Sequence, residues 1–536
     1  MKSTARLIRK SLSALAVAVP LAVSSAIGAA HADGHAEKVL RIVPHANLKN
    51  LDPIWTTAYI TRNHGYMVYD TLFAADENLV VKPQMVDTFK TSADGLVYTF
   101  TLRDGLKWHD GAPVTAEDCV ASIARWGKRD GMGQKLMDFT KEMKVVDAKT
   151  FQIILNEPYG LVIDSLGKIS SNVPFMMPKR LADTDAFEQV SEVIGSGPFK
   201  FVKDEWVPGS KLVYVKNEAY VPRSEPASAA AGGKVVNVDR VEWIYIPDPA
   251  TALNALKNGE VDLWETPAPD MLPMMDSDPN IKTAVIDPLG TQGWLRPNHL
   301  HPPFNNPKAR QALVHAVSQE NYMQAIIGNP KLYSACPAYF ICGTPNETEV
   351  ATEALKNVNL DKAKQLLKEA GYKGEKIILM QPTDIPVLNG ASLVTAQMLR
   401  DIGMKVEVQA MDWSTLTSRR AEKKSPADGG WNIFHTYSTG ADVTSPISNI
   451  GISGGGVEKA WFGWPTDAKI ESLRDAYARE ADPGKKKAII ETLQKRAFEV
   501  VPYVNYGQWF QPVAWRSSLS GVLISPVPFF WNIDKK

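Results

Sequence analysis

The formal net charge of this 536-residue chain is zero, with 59 basic and 59 acidic residues. No basic surplus is available for a nucleic-acid footprint. Histidine is scarce, nine in all, and the nine are scattered. Cysteine is scarcer still, at three. A zinc site would need more ligands than their spacing offers. Beyond the first 32 residues there is no run of about 18 apolar residues, so no membrane-spanning helix is expected there. No internal repeat of about 20–50 residues is visible, which argues against a solenoid. Hydrophobic content of 44% and charged content of 22% are those of a soluble globular protein. The length calls for two or three domains.

What is present begins with an export pattern. Lys2, Arg6, Arg9 and Lys10 form a basic segment, Leu12 to Ile27 is apolar and small, and Ala30-His31-Ala32 is an A-x-A cleavage signal. There is no twin arginine, and no cysteine stands at the cleavage point for lipid attachment. Cleavage after Ala32 removes four basic and no acidic residues, so 59 basic residues become 55 against 59 acidic ones, a net charge of −4. The expectation is a soluble periplasmic protein. Its new terminus, Asp33-Gly34-His35, reads as a loose tail, although a free amine with His at the third position is also a square-planar metal chelate.

In an oxidising compartment Cys336 and Cys342, six residues apart, are expected to form a local disulfide; two separate thiols are the competing reading. Cys119 is expected to be a buried free thiol.

The most legible stretch is 94–126. Asp94-Gly95 is a turn, residues 97–102 alternate as a strand, and Asp104-Gly105 is a second turn. Leu106-Lys107-Trp108 is expected to start another strand. Thr115 and Asp118 fit a capping box that opens a helix. Upstream, Val39–Val43 is a strand and about 61–72 a helix. Downstream, Pro249 to Asn258 is a helix closed by Gly259, followed by a strand at 261–264, a β-α-β texture. Asn306-Pro307 opens a helix, Leu393–Ile402 is another, and Pro483–Val500 a long one.

The stretch 94–126 resembles the signature region of the family 5 extracytoplasmic solute-binding proteins, the dipeptide-, oligopeptide- and nickel-binding components of ABC importers. Other motifs stand in the matching order: Leu51-Asp52-Pro53, Tyr69-Asp70-Thr71-Leu72, Gly195-Ser196-Gly197-Pro198-Phe199, Asn298 with Pro303-Phe304, Arg310-Gln311-Ala312-Leu313, and Asp361 through Tyr372. The resemblance implies an α/β fold like that of periplasmic binding proteins. It has two lobes joined by hinge strands, with a third domain inserted. Lobe I maps to 33–75, 200–289 and 511–536, the insert to 76–199, and lobe II to 290–510. The implied function is a monomeric receptor that closes over a peptide or amine-bearing small molecule and delivers it to a membrane permease. No cofactor, no nucleic acid and no catalysis are implied.

The resemblance also singles out residues. In peptide-binding relatives an Asp followed four residues later by Pro pairs with the peptide ammonium; Asp442 and Pro446 fit that pattern. An isolated buried carboxylate is costly, and a ligand cation offsets the cost. The alternative is a loop-capping Asp. Dipeptide binders hold the carboxylate with an Arg after a lobe II strand, but the matching segment Met380–Ile385 has none. Arg296, Arg419 or Arg420 are the substitutes, with Arg419 taken as the site residue. Trp294, Trp413, Trp431 and Tyr437 are expected to edge the cleft, with Thr439 beside Asp442. Three rival readings remain. His299, His301 and His435 suggest a nickel or metal-chelate binder. Gly451-Ile452-Ser453-Gly454-Gly455 matches the G-x-S-x-G pattern of serine hydrolases. The same fold also suits a peptide-holding chaperone or sensor.

Overall fold

The computed structural model describes residues 37–536. The expected signal peptide and the Asp33-Gly34-His35 terminus lie outside the described residues.

Strand Val39–Val43 lies in the middle of a seven-stranded sheet. On one side of it come Leu263–Trp264, Pro512–Arg516 and Ile281–Val285; on the other come Arg240–Ile244, Lys211–Lys216 and Phe199–Phe201. Val39–Val43 runs parallel to both of its neighbours. Parallel pairing needs a crossover connection. Helix Pro249–Asn258 provides it between Arg240–Ile244 and Leu263–Trp264. Asp248 caps this helix by accepting the Thr251 N–H at 2.8 Å, and Gly259 ends it in the left-handed region at φ 76°.

A second sheet has six strands in the order Tyr333–Ser334, Val504–Trp509, Thr291–Pro297, Ile433–Thr439, Lys376–Pro382, Lys405–Met411. Thr291–Pro297 is buried along its whole length and pairs antiparallel with both neighbours. The chain passes from the first sheet to the second between Val285 and Thr291, and back between Trp509 and Pro512. The two crossings run side by side, because Val285 pairs with Pro512 and Thr291 with Trp509. Gly290 lies in the first crossing at φ 64°, where an added Cβ would meet the Trp509 carbonyl oxygen at 2.4 Å.

Strands Val86–Thr91, Val97–Leu102, Thr150–Leu155 and Thr140–Val145 form a separate four-stranded antiparallel sheet. Helix Ala116–Gly127 packs on it. The capping box is present: Thr115 Oγ1 accepts the Asp118 N–H at 3.3 Å, and Asp118 Oδ2 accepts the Thr115 N–H at 2.8 Å. Such a cap stabilises a helix by about 1 kcal/mol. Cys119 is a buried free thiol, and burial raises its pKa. From the same helix Arg125 reaches Asp52, both buried, with Nη2 to Oδ2 at 2.7 Å. This ion pair ties the stretch 94–126 to the Leu51-Asp52-Pro53 motif. Cys336 and Cys342 are joined in a disulfide.

Three elements differ from expectation. The helix expected over 61–72 is Tyr59–Val68. It stops because the Val68 carbonyl accepts the Gly197 N–H at 2.8 Å, which draws the chain out of the helix. Leu106–Trp108 makes only an isolated bridge between Lys107 and Pro113, too tight a turn for a strand. The helix expected from Leu393 begins at Pro386, which occupies the first helical position where its missing N–H costs nothing.

Candidate functional site

Strand Ile433–Thr439 runs towards the crossing and turns there through Gly440–Val443. The Gly440 N–H donates to the Gly290 carbonyl at 2.7 Å. This turn places Asp442, only 5% exposed, beside the crossing. Its Oδ2 accepts hydrogen bonds from Tyr59 Oη at 2.7 Å and Thr439 Oγ1 at 3.3 Å. The Tyr59 hydroxyl also accepts the Thr439 N–H at 2.9 Å. Burial pushes the Asp442 carboxyl up from its ordinary value, against the pull of Lys168, Ser170, Tyr59 and Arg62. Neither cation is committed to it. Lys168 pairs with Asp130 at 2.5 Å, and Arg62 donates to Asn63 Oδ1 and, at 2.6 Å, to Ser170 Oγ. Among the described residues Asp442 is therefore a buried carboxyl without an ion pair of its own.

Two cavities adjoin this point. The smaller, with about 470 Å³ of empty space, is lined by Asp442, Arg420, Trp294, Trp413, Trp461 and Tyr437, among others. The larger, with about 930 Å³ including its open mouth, is lined by Arg62, Glu265, Asp287, Thr439, Ile385 and Pro386, among others. His45, Tyr59 and Tyr437 border both. The Tyr59 and Tyr437 rings stand 5.9 Å apart at a 46° tilt. The walls come from both large sheets and their loops. Apolar walls with a few fixed polar groups are the usual composition of a small-molecule site.

The charged groups of the larger cavity differ in their surroundings. Glu265 bonds His45 Nδ1 at 2.7 Å and accepts Asn63 Nδ2 at 3.0 Å. Burial pushes its carboxyl up, but His45 and Arg62 outweigh that and hold it below the ordinary range. Among the described residues Asp287 has no such partner. Burial raises it to about 6, although its carboxylate accepts the Leu289 N–H at 3.0 Å.

The residues singled out from the sequence do not all converge here. Asp442, Trp294, Tyr437 and Trp413 line the smaller cavity, and Thr439 and Tyr437 the larger. Trp294 is a buried wall residue, stacked on Tyr503 at 4.4 Å. Trp431 lines neither cavity. It is fully buried with Phe434, Met380 and Trp464, in a cluster against which the cavity residues Trp413 and Trp461 pack. Arg419 also lies apart, because its guanidinium donates to the carbonyls of Gly429 and Gly430. Arg296 is structural: it donates to the carbonyls of Phe462, Gly451, Pro502 and Trp461. In the segment without an Arg, Asp384 accepts the Trp413 N–H at 2.7 Å.

The rival chemistries find little support. Among the described residues there is no group of three His, Cys, Asp or Glu placed to hold a metal. His435 is buried against Thr395 and Ser392, and His301 bonds the Lys423 carbonyl. Ser453 bonds Glu471 at 3.2 Å. It lies between a 3-10 turn, Ile450–Ile452, and a one-turn helix, Gly456–Lys459, not on a strand-to-helix elbow.

Sequence reasoning missed Tyr59, Arg62, His45, Glu265 and Asp287. These approach from segments about 150 or more positions away from Asp442, and no local pattern marks them.

Comparison with known proteins fits this geometry. The model of the bacterial extracellular solute-binding proteins, family 5 Middle, matches residues 80–457. The chain is 41% identical over 524 residues, 97% of its length and 98% of the other's, to the "Probable peptide ABC transporter periplasmic-binding protein y4tO" of Sinorhizobium fredii. Among solved structures it is similar to AgaA from A. tumefacien R10 in complex with agropinic acid, at 22% identity and TM-score 0.78, covering 93% of this chain and 99% of that one. It is also similar to DppA from Helicobacter pylori in complex with the peptide STSA, at 22% identity and TM-score 0.77, covering 93% and 98%. The fold is thus that of the periplasmic binding proteins, and the chain belongs to the bacterial extracellular solute-binding proteins of family 5.

Proposed function

We propose that the protein is a periplasmic receptor that encloses a short peptide or amine-bearing small molecule and hands it to the permease of an ABC importer. The observation that carries this reading is Asp442, a buried carboxylate without an ion pair that faces a cavity. A ligand ammonium supplies the missing counter-charge, and the aromatic walls bury the remainder of the ligand. The names of the relatives agree in kind: one is a probable peptide ABC transporter periplasmic-binding protein, and the two solved structures hold agropinic acid and the peptide STSA. Residues 1–32 act as the export signal in this reading, and the mature protein is a monomer.

In this reading the seven-stranded sheet is the core of lobe I, the six-stranded sheet that of lobe II and the four-stranded sheet that of the insert. The paired crossings at 285–291 and 509–512 are the hinge. The protein performs no chemistry. Mass spectrometry of molecules that co-purify with it identifies the ligand class. Small-angle scattering before and after saturation with a peptide so identified tests the closure. A co-purified ligand without an amine rejects the assignment of Asp442, and a scattering profile unchanged by saturation rejects hinge closure.

A further inference from the structure

The insert contributes little to the cavity walls: of residues 76–199 only Ser171 lines either cavity. Its ties to the rest of the chain are of two kinds. Those to the segments before the first crossing are buried. Arg125 pairs with Asp52, and Asn172 Nδ2 donates to the Thr56 carbonyl at 2.7 Å. Those to the chain between the crossings are ion pairs nearer the surface. Helix Gly131–Phe139 of the insert meets helix Ala468–Arg479 there. Lys135 Nζ pairs with Asp475 Oδ1 and lies 3.4 Å from Glu471 Oε2. Arg479 Nη2 and Nε donate to the two carboxylate oxygens of Glu157 at 2.9 and 3.0 Å. The Arg479 guanidinium carbon also stands 4.9 Å from the centre of the Phe139 ring. Lys459 Nζ reaches Asp138 Oδ1 at 3.1 Å. Among the described residues, Lys49 with Asp412 is the one other ion pair that spans the two sides of the crossings.

The spacing on each helix suits this contact. Glu471, Asp475 and Arg479 recur every four residues and share one face, as do Lys135, Asp138 and Phe139. Two carboxylates four residues apart repel within a helix, and Lys135 from the other side supplies a counter-charge. Arg474 also holds Glu471, at 2.8 Å, whereas Asp475 pairs with Lys135 alone among the described residues. The Lys135 side chain is only 8% exposed, so separating the helices takes both lobe II carboxylates from it and leaves Asp138, at 3.9 Å. The Glu157 and Arg479 side chains are about half-exposed. Exposed pairs are individually weak and break reversibly, whereas breaking a buried pair is costly. The insert can thus let go of one side of the molecule while it stays fixed to the other.

We infer that the insert and helix Ala468–Arg479 form a releasable ionic latch that holds the two halves shut over the solute. Lys135, Asp138 and Glu157 stand on one side of it, and Asp475, Lys459 and Arg479 on the other. None of the six lines either cavity, so the latch sets how long a solute is held and leaves the choice of solute to the cavities. It rests on the reading of the crossings as a hinge.

The test reverses the exposed pair, Glu157→Arg and Arg479→Glu, singly and together, in the full mature protein. Small-angle scattering is recorded with and without a pancreatic casein hydrolysate, and the release of captured peptides after dilution is followed by native mass spectrometry. Each single reversal sets like charges against each other. It is expected to enlarge the radius of gyration and to speed release about threefold or more. The double reversal is expected to bring both readouts back towards wild type. Lys135→Met, which leaves Asp475 without its cation, is expected to speed release further. Single reversals that move neither readout overturn the latch while leaving the hinge standing, provided that the wild-type protein compacts on binding. A double reversal no better than the worse single also overturns the latch, because the damage is then local and not a lost pairing. A wild-type profile unchanged by retained peptides overturns the hinge, and the latch with it. If no casein peptide is retained, the scattering of the ligand-free proteins decides by the same comparison. The exposed pair decides the matter even if Lys135→Met fails to fold.

Discussion

Replacing Asp442 with Asn separates binding from folding, because the two respond with opposite signs. At about 4 Å and an effective dielectric of about 20, an ammonium and a carboxylate attract by about 4 kcal/mol. Asn keeps a neutral acceptor, and an ordinary hydrogen bond returns about 1 kcal/mol. The expected loss is about 2–4 kcal/mol, within the range of about 2–5 for breaking a buried charge pair. That is about a 30- to 1,000-fold rise in Kd. Without ligand the sign reverses. Burial raises the Asp442 pKa above its ordinary 3.8, so the folded state holds this proton more tightly than the unfolded state. The resulting penalty is absent at low pH, grows as pH rises past 3.8, and is complete above the folded pKa. At pH 7.5 Asp442→Asn removes it, so the ligand-free variant is expected to melt no lower than wild type. Calorimetry with an amine-bearing peptide, paired with thermal melting of the ligand-free protein, reads both quantities. A Kd within about threefold of wild type refutes the charge pair. A weakened Kd accompanied by a melting point many degrees lower refutes it as well, because the loss is then structural.

Tyr59→Phe removes the hydroxyl that donates to Asp442 and accepts the Thr439 N–H. A charge-assisted bond of this kind is worth about 1.5–3 kcal/mol, so the ligand-free protein is expected to open, read as a larger radius of gyration in small-angle scattering. Asp287, raised to about 6 by burial, destabilises the folded protein increasingly as pH climbs from about 4 through 6, and its penalty is complete above about 7. Asp287→Asn is therefore expected to raise the melting temperature at pH 7.5 and leave it unchanged near pH 3.5, checked by melting curves across that range. The double change Cys336→Ser with Cys342→Ser opens a loop of about seven residues, worth about 2 kcal/mol by the chain-entropy account. Lower stability towards urea with unchanged peptide affinity is the expected outcome.

Where neighbours in the chain decide the conformation, the sequence was sufficient. The capping box at Thr115 and Asp118, the stop at Gly259 and the start at Pro307 are local devices. Asp442, which lines the smaller cavity, was singled out because its turn carries a motif. Arg419 and Arg420 show where local reading ends. They are adjacent at the end of helix Trp413–Arg419, and successive residues on a helix point about 100° apart. One turns to the Gly429 and Gly430 carbonyls and the other into the cavity. Only the packing of that helix chooses between them. Trp431 misled for a related reason. It stands two residues before strand Ile433–Thr439, and the face it takes depends on the core formed by Met380, Phe434 and Trp464. Tyr59 and Glu265 were out of reach, since each meets the site only through chain segments far apart in sequence.

Asp442 and Arg420, which line the smaller cavity and form no ion pair among the described residues, stand on the same half of the molecule. Asp442 and Arg420 both belong to the chain between the crossings, whereas His45, Tyr59, Arg62 and Glu265 precede them. Under the hinge closure proposed above, an open form already displays both of these side chains on one face. Charge recognition then belongs to the moment of encounter and governs arrival. The opposing half contributes the Tyr59 ring and hydroxyl together with His45, Arg62 and Glu265, whose polar groups already bond one another or neighbouring side chains, and it governs how long the solute stays. Mutations on the two halves are therefore expected to divide between the association rate and the dissociation rate, and a permease that pulls the halves apart speeds release without first having to break the solute's ion pair with Asp442.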